Sequence, residues 1–258
     1  MILALDIGNS NIVVSCMDDN KTYFMSRLDT NVTKTEDEYA MNIQNILQIN
    51  KIDRSLIEGA IISSVVPPLI STHKNAINKL LGFFPIVINA SQDIGLSVKI
   101  DEPSQLGSDL ICGAVAGIEN YKLPLIIFDI GTATTVSVID KNKNFIGGLI
   151  YPGPKISLET LSNKTAQLPH INPDSPQNVI AKNTVDSMVS GVIFGNASMI
   201  DGIISRIEKE LGQEVNVVAT GGLSQSIIPY CERNIHRDDD LIFKGIFSIY
   251  KKLKNKSN

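Results

Sequence analysis

One short pattern occurs twice in this chain, and it limits the possible folds more than any other feature. Residues 2 to 15 read ILALDIGNSNIVVS and residues 125 to 140 read LIIFDIGTATTVSVID. Each copy is an apolar, β-branched run ending in Asp-Ile-Gly, then a few small polar residues, then a second β-rich run. That is the signature of a hairpin with Gly at the tight turn and Asp at its mouth. Asp6 and Asp129 lie 123 positions apart, so each half of the chain opens with the same unit. The expected architecture is a duplicated α/β domain, with halves at residues 1–120 and 121–258.

Further strands are expected at 59–66 (GAIISSVV), 84–90 (FPIVINA) and 215–220 (VNVVAT). Apolar residues at helical spacing predict helices over 37–49, 108–120 and 196–211. Strands alternating with helices imply sheets covered by helices. The Pro-rich polar stretch at 161–182 predicts a long exposed excursion, of the kind that forms lids and binding segments.

Composition excludes several partners. The net charge is -4, and the basic residues form no long block before KKLKNK at 251–256, which reads as a solvated tail. Nucleic acid is therefore not an expected partner, since phosphate backbones are held by clustered Lys and Arg. Cys16, Cys112 and Cys231 are odd in number and widely spaced, and His73, His170 and His236 are equally scattered, so neither a disulfide framework nor a zinc site is implied. The first segment lacks a basic n-region and carries Asp6, unlike a signal peptide. No run reads as the ~18 apolar residues of a membrane span. A cytoplasmic protein without a membrane partner is expected.

The repeated hairpin also suggests chemistry. Asp6, Gly8, Asn9, Ser10 and Asn11 would present consecutive backbone N–H groups and small side chains to phosphate oxygens. The Asp6 carboxylate could hold a phosphate-bound Mg²⁺ through water. A single such turn is as readily a plain hairpin. The second copy, Asp129, Gly131, Thr132, Ala133, Thr134 and Thr135, adds a matching grip. Ala219-Thr220-Gly221-Gly222 follows an apolar strand, where side-chain-free residues can pack flat against a base or ribose. The three elements form an ATP-site constellation unlike a Walker A loop or a G-x-G-x-x-G motif.

The order D-I-G-N-S (6–10), I-S-S-V-V-P (62–67), L-G-S-D (106–109), D-I-G-T-A-T-T (129–135), G-G-L-I-Y-P-G (147–153), N-T-V-D-S-M-V-S-G (183–191) and A-T-G-G (219–222) resembles the type III pantothenate kinase family. The resemblance implies an actin-like (ribonuclease H-like) fold of two mixed-sheet halves around a nucleotide cleft. It implies transfer of a phosphoryl group from ATP to the primary hydroxyl of pantothenate, the first step of coenzyme A synthesis. A homodimer, Mg²⁺ and a monovalent cation, K⁺ or NH₄⁺, come with it.

By the same resemblance, Asp6, Ile7, Gly8, Asn9, Ser10, Asn11, Ile12 and Val13 hold the ATP phosphates, and Thr132, Gly221 and Gly222 contact the nucleotide. Asp129 is similar to the ligand of the monovalent cation. Asp109 matches the general base, and Ile100, Gly107, Ser108, Leu110 and Thr184 fall at acceptor positions. Asp109 is expected in the first turn of a helix, ionised by the helix dipole. Taken without its context, an Asp there reads first as a helix cap.

Two acceptor positions depart from the family pattern. Its G-x-D-R motif reads Gly107-Ser108-Asp109-Leu110 here, and Ile100 stands where a Tyr is expected. Leu cannot offer the guanidinium that pairs bidentately with a carboxylate. An actin-fold kinase for a different small hydroxyl compound, and a nucleotide-binding regulator or partner subunit without catalysis, remain as alternatives. Met17, Met41 and Met188 read as core filler, Cys112 as a packed small hydrophobe, His170 as a solvated loop residue, and Asp238-Asp239-Asp240 as a solvated turn.

Overall fold

A computed structural model describes residues 1–173 and 175–256. In chain order the elements begin with β1 (Ile2–Ile7), β2 (Asn11–Met17), β3 (Thr22–Asp29), α1 (Glu36–Ile49), β4 (Gly59–Ser64), α2 (Pro67–Leu81), β5 (Ile86–Val87), β6 (Ser97–Val98) and α3 (Ser108–Asn120). They continue with β7 (Leu125–Ile130), β8 (Ala133–Ile139), β9 (Asn144–Pro152), α4 (Pro154–Lys164), α5 (Thr184–Leu211), β10 (Asn216–Thr220), α6 (Ser224–Ile227), β11 (His236–Arg237) and α7 (Leu241–Lys256). The chain divides into two compact units. The first holds Met1–Leu96, Asp101–Ala116 and the chain from Ile242 onward; the second holds Ser97–Ile100 and Gly117–Leu241. The change of unit falls inside α3, four residues before the expected cut after residue 120, and α7 belongs to the first unit and not to the second half.

The first unit is built on a mixed sheet in the order β3-β2-β1-β4-β5. β1, β2 and β3 form an antiparallel meander, while β4 pairs parallel to β1 and β5 parallel to β4. Of the strand expected at 84–90, Ile86 and Val87 form β5, and the Ile88 N–H adds one further bond to the Ile62 carbonyl of β4 at 2.9 Å. Thr35 and Glu38 close a capping box at the start of α1, which satisfies two orphan backbone donors. Pro67 opens α2, where its missing N–H costs nothing, and Gly82 at φ 81° ends it. Leu3, Leu5, Ile7, Ile12 and Val14 pack with Tyr39, Ile43 and Leu47 of α1 and Leu69 and Ile77 of α2.

α7 completes this unit, and its basic end is not a solvated tail. Lys251 Nζ meets Asp19 at 3.0 Å, Lys252 Nζ donates to the Ile94 carbonyl at 2.8 Å, and Lys256 pairs with Asp93. The lysines hold the last turns against the loop before β6, where basic residues also suit the negative end of the helix. Met17 is buried as expected, but Met41 lies on the outer face of α1 at 65% exposure and is no core filler.

The second unit repeats the plan. Its sheet runs β11-β10-β7-β8-β9-β6, with β7, β8 and β9 an antiparallel meander and β10 parallel to β7. β7 repeats the burial sequence of β1 residue for residue, and β8 that of β2. The two copies thus make the same hairpin and bury the same faces. The helix expected at 196–211 is the second half of the 28-residue α5. α5 contains an 18-residue window of mean hydropathy 1.3 and meets the length and composition of a membrane span, which the sequence reading did not anticipate. Its inner face, including Met188, Val192, Ile193, Ile200 and Ile204, lies in the core of this unit, as in the central helix of a globular domain.

The expected excursion at 161–182 begins only after α4 ends at Lys164, and its described residues form neither helix nor strand; residue 174 lies outside the described residues. His170 is exposed there, as expected. Asp238, by contrast, is buried and accepts the Tyr121 hydroxyl at 2.7 Å, so the acidic run is anchored at its first residue and is not a wholly solvated turn.

α7 crosses α3 at its tightest helix contact. A Cβ on Gly245 would lie 1.9 Å from the Cys112 carbonyl oxygen, which is backbone and cannot swing away. Gly245→Ala should therefore destabilise the protein by about 1–3 kcal/mol, measurable as a lower urea midpoint with an unchanged slope.

Candidate active site

In the first unit the chemistry gathers at the carboxyl ends of β1 and β4. Gly8 N donates to the Asn11 carbonyl at 3.0 Å and closes the hairpin, while the Thr30 hydroxyl holds the Gly8 carbonyl at 2.6 Å. Asn9, Ser10 and Asn11 are exposed on the turn, where their backbone and short side chains can reach a ligand. Ile7 and Ile12 are fully buried in the core, so only their backbone could face phosphate.

Parallel pairing of β1 with β4 sets Asp6 directly beside Ser63, and the Ser63 hydroxyl donates to Asp6 Oδ1 at 2.9 Å. Ser63 Oγ lies 3.0 Å from Ser108 Oγ, which accepts the Ser64 N–H at 2.7 Å. Ser108 is the first residue of α3. Its hydroxyl is engaged by these two internal partners. Ser63 was missed as a functional residue, although a polar residue in the apolar run GAIISS, in register with Asp6, is a legible signal.

Asp109 stands in the first turn of α3 as the second helical residue. Its carboxylate accepts the Leu110 N–H at 2.8 Å and folds back over Gly107, where an added Cβ would sit 2.4 Å from Asp109 Oδ1. Gly107 precedes the helix and its carbonyl takes the Ile111 N–H, so Asp109 does not occupy the capping position itself. Burial pushes its pKa above the ordinary carboxylate value and outweighs the N–H bonds that oppose the shift. The expectation that the helix dipole sets its charge state is corrected: desolvation dominates. Cys112, one turn on, is fully buried beside Ser63, and burial together with the Asp6 and Asp109 charges pushes its thiol far up. It is the packed hydrophobe that was expected, since a thiol without thiolate character is no nucleophile. Leu110 is half-buried beside the base.

The second unit carries the matching hairpin. Gly131 N donates to the Ala133 carbonyl at 3.2 Å, and Thr132 and Ala133 are exposed on the turn. Asp129 pairs in register with Thr220 of β10. Gly221 follows at φ +91°, and a Cβ there would lie 2.4 Å from Asp129 Oδ1 and 2.6 Å from the Ile130 nitrogen. Only glycine allows the β10–α6 turn to lie against that carboxylate. Gly222 faces open space. Thr184 is exposed at the start of α5, one residue after the capping Asn183, and Ile100 is half-buried after β6.

Oxygen donors at both hairpins suit hard cations. No group of three His, Cys, Asp or Glu able to hold a metal occurs among the described residues. A Mg²⁺ ion would thus be held by one carboxylate together with nucleotide phosphates, its usual mode. Asp6 fits that part.

The family model described as type III pantothenate kinase matches residues 2–206. A type III pantothenate kinase of Exiguobacterium sp. is 40% identical over 252 residues, 98% of this chain and 99% of the relative. Among solved structures, the activator of the 2-hydroxyisocaproyl-CoA dehydratase from Clostridium difficile with bound ADPNP superposes with a TM-score of 0.60 at 14% identity, covering 99% of this chain and 96% of that one. The ROK hexokinase from Thermus thermophilus gives 0.52 at 10% identity, covering 98% and 99%. These two likenesses carry the fold, which is actin-like.

Asp109→Asn separates the base from the cap. In the folded state the carboxyl binds its proton more tightly than in the unfolded chain. Native protein therefore holds more protons than unfolded protein between the unfolded and folded pKa values, and stability falls as pH rises through that window. Above it the loss is complete. The variant should lose nearly all phosphoryl transfer, keep nucleotide affinity, and melt at or above the wild-type temperature at pH 7. Unfolding with normal activity per folded molecule would establish the cap instead.

Proposed function

The chain belongs to the type III pantothenate kinase family, and we infer that it transfers the γ-phosphoryl group of ATP to the primary hydroxyl of pantothenate, opening coenzyme A synthesis. The observation that carries this reading is the placement of Asp6 and Asp109 around one buried hydroxyl cluster in the first unit.

Phosphoryl transfer passes through a loose transition state, so catalysis rests on positioning and charge neutralisation more than on a strong base. Mg²⁺, when bound, would neutralise phosphate charge in the transition state. Asp6 is proposed to hold that ion through water, with the backbone of residues 7–13 along the phosphates and Thr132, Gly221 and Gly222 along the nucleotide. Asp129 is proposed as the ligand of a monovalent cation, K⁺ or NH₄⁺. Asp109 takes the hydroxyl proton of the acceptor, and its raised pKa moves it toward the operating pH, where a general base works best. Gly107, Leu110, Ile100 and Thr184 are proposed to border the acceptor.

A homodimer is proposed from the family resemblance, and exposed apolar residues such as Ile150 on β9 and Ile180 before α5 are available to such a contact. A cytoplasmic location, with neither nucleic acid nor membrane as partner, agrees with the charge pattern. An ADP-release assay with pantothenate and a panel of small alcohols, with and without K⁺, tests activity, acceptor and cation together; turnover of another alcohol but not pantothenate would overturn the acceptor.

Leu110 favours weak acceptor binding, because the chain offers no guanidinium at this position to the pantothenate carboxylate. A charge-assisted hydrogen bond contributes roughly 1.5–3 kcal/mol, about tenfold to a hundredfold in affinity. Leu110→Arg, alone and with Ile100→Tyr, should lower the KM for pantothenate by about that factor. Tight wild-type binding weakened by Leu110→Arg would show that another residue already holds the carboxylate.

A further inference from the structure

The hydroxyl cluster has only one consistent hydrogen-bond direction. An ionised Asp6 can only accept, so the Ser63 hydroxyl gives its proton to Asp6 Oδ1. That uses the only proton Ser63 has, so the Ser108 hydroxyl donates to Ser63 Oγ, 3.0 Å away, while its oxygen accepts the Ser64 N–H. The chain runs from Ser64 N–H through Ser108 and Ser63 to Asp6. Both serines are buried, where each bond is stronger than in water and polarises the next.

This chain ties together two parts of the site that come from distant segments. Asp6 ends β1, and Ser108 is the residue before the base on α3. At the first turn of α3 these bonds add direction to packing, since a hydrogen bond fixes distance within a few tenths of an ångström.

We propose that Ser63 and Ser108 are positioning residues that lock the first turn of α3, and with it Asp109, in register with the Asp6 carboxylate. The inference rests on the kinase reading of the same site. It assigns Ser108 an inward role, since its hydroxyl serves Ser63 and the Ser64 N–H. It also predicts that the two serines act as one device: breaking the chain at either end releases the same constraint.

The test uses Ser63→Ala, Ser108→Ala and the double variant in the full chain, with folding checked by circular dichroism and melting. Turnover is measured with pantothenate, and binding of a non-hydrolysable ATP analogue by calorimetry with and without Mg²⁺. In each single variant kcat should fall about ten- to a hundredfold, as a displacement near 1 Å produces, while the KM for pantothenate stays within about twofold. Ser63→Ala should also lose about tenfold in Mg²⁺-dependent affinity, with metal-free affinity unchanged, because Asp6 loses its donor. The double variant should be no worse than the poorer single one. Wild-type kcat and Mg²⁺-dependent affinity in either folded single variant, or additive losses, would overturn the proposal. If Ser63→Ala fails to fold, Ser108→Ala decides alone; failure of both to fold would assign the serines to folding and equally overturn it. Should the wild type not turn over pantothenate, the acceptor reading fails, and the Mg²⁺-dependent binding still decides the role of Ser63.

Discussion

The parallel pairing of β1 with β4 is the constraint from which the first unit's site follows. It brings residues 57 positions apart into register, with Asp6 beside Ser63 and Ile7 beside Ser64. Without that pairing Asp6 would stand at the mouth of a hairpin and nothing more. With it, a carboxylate is supplied with a buried donor, and the donor reaches on to the start of α3. The strand is buried on both faces, Ile61 and Ile62 each being fully buried on opposite sides, as expected of a parallel strand inside a sheet.

The same plan is used in the second unit with a different ending. β10 lies beside β7 as β4 lies beside β1, and Thr220 takes the place of Ser63 opposite the motif Asp. There the chain turns through Gly221 against the Asp129 carboxylate, so the space next to this Asp is backbone-lined. Duplication thus supplied two similar hairpins, and the residue after the neighbouring parallel strand made their surroundings different. One Asp received a hydroxyl partner beside the start of a helix; the other received a glycine turn packed against its carboxylate.

Much of the fold was legible because its signals are local. The doubled D-I-G hairpin, the strand at 59–66 and the helix at 108–120 each carry their own period and turn residues. What the sequence concealed depends on distant contacts. The lysines of α7 look like a tail until Asp19 and Asp93 lie beneath them, and Asp238 looks solvated until Tyr121 covers it. α5 showed only its second half because the excursion before it gives no period from which to extend. In the site, the positions of Asp6 and Asp129 could be read from the turns, whereas Ser63 required the pairing register, and the charge state of Asp109 required its burial.

Burial of Asp109 sets a cost that the site carries in its resting state. The carboxylate has lost water and received N–H donors from the backbone of the first helical turn, and burial outweighs them, so its pKa lies above the ordinary carboxylate value. A nearby cationic side chain would lower that cost and also depress the basicity the reaction uses. Serine hydroxyls, a backbone N–H and a buried thiol lie beside Asp6 and Asp109. Positive charge can then enter with the nucleotide as its metal, so that neutralisation is greatest when the phosphoryl group is in place. An interaction made mainly at that stage would favour the transition state over the resting enzyme.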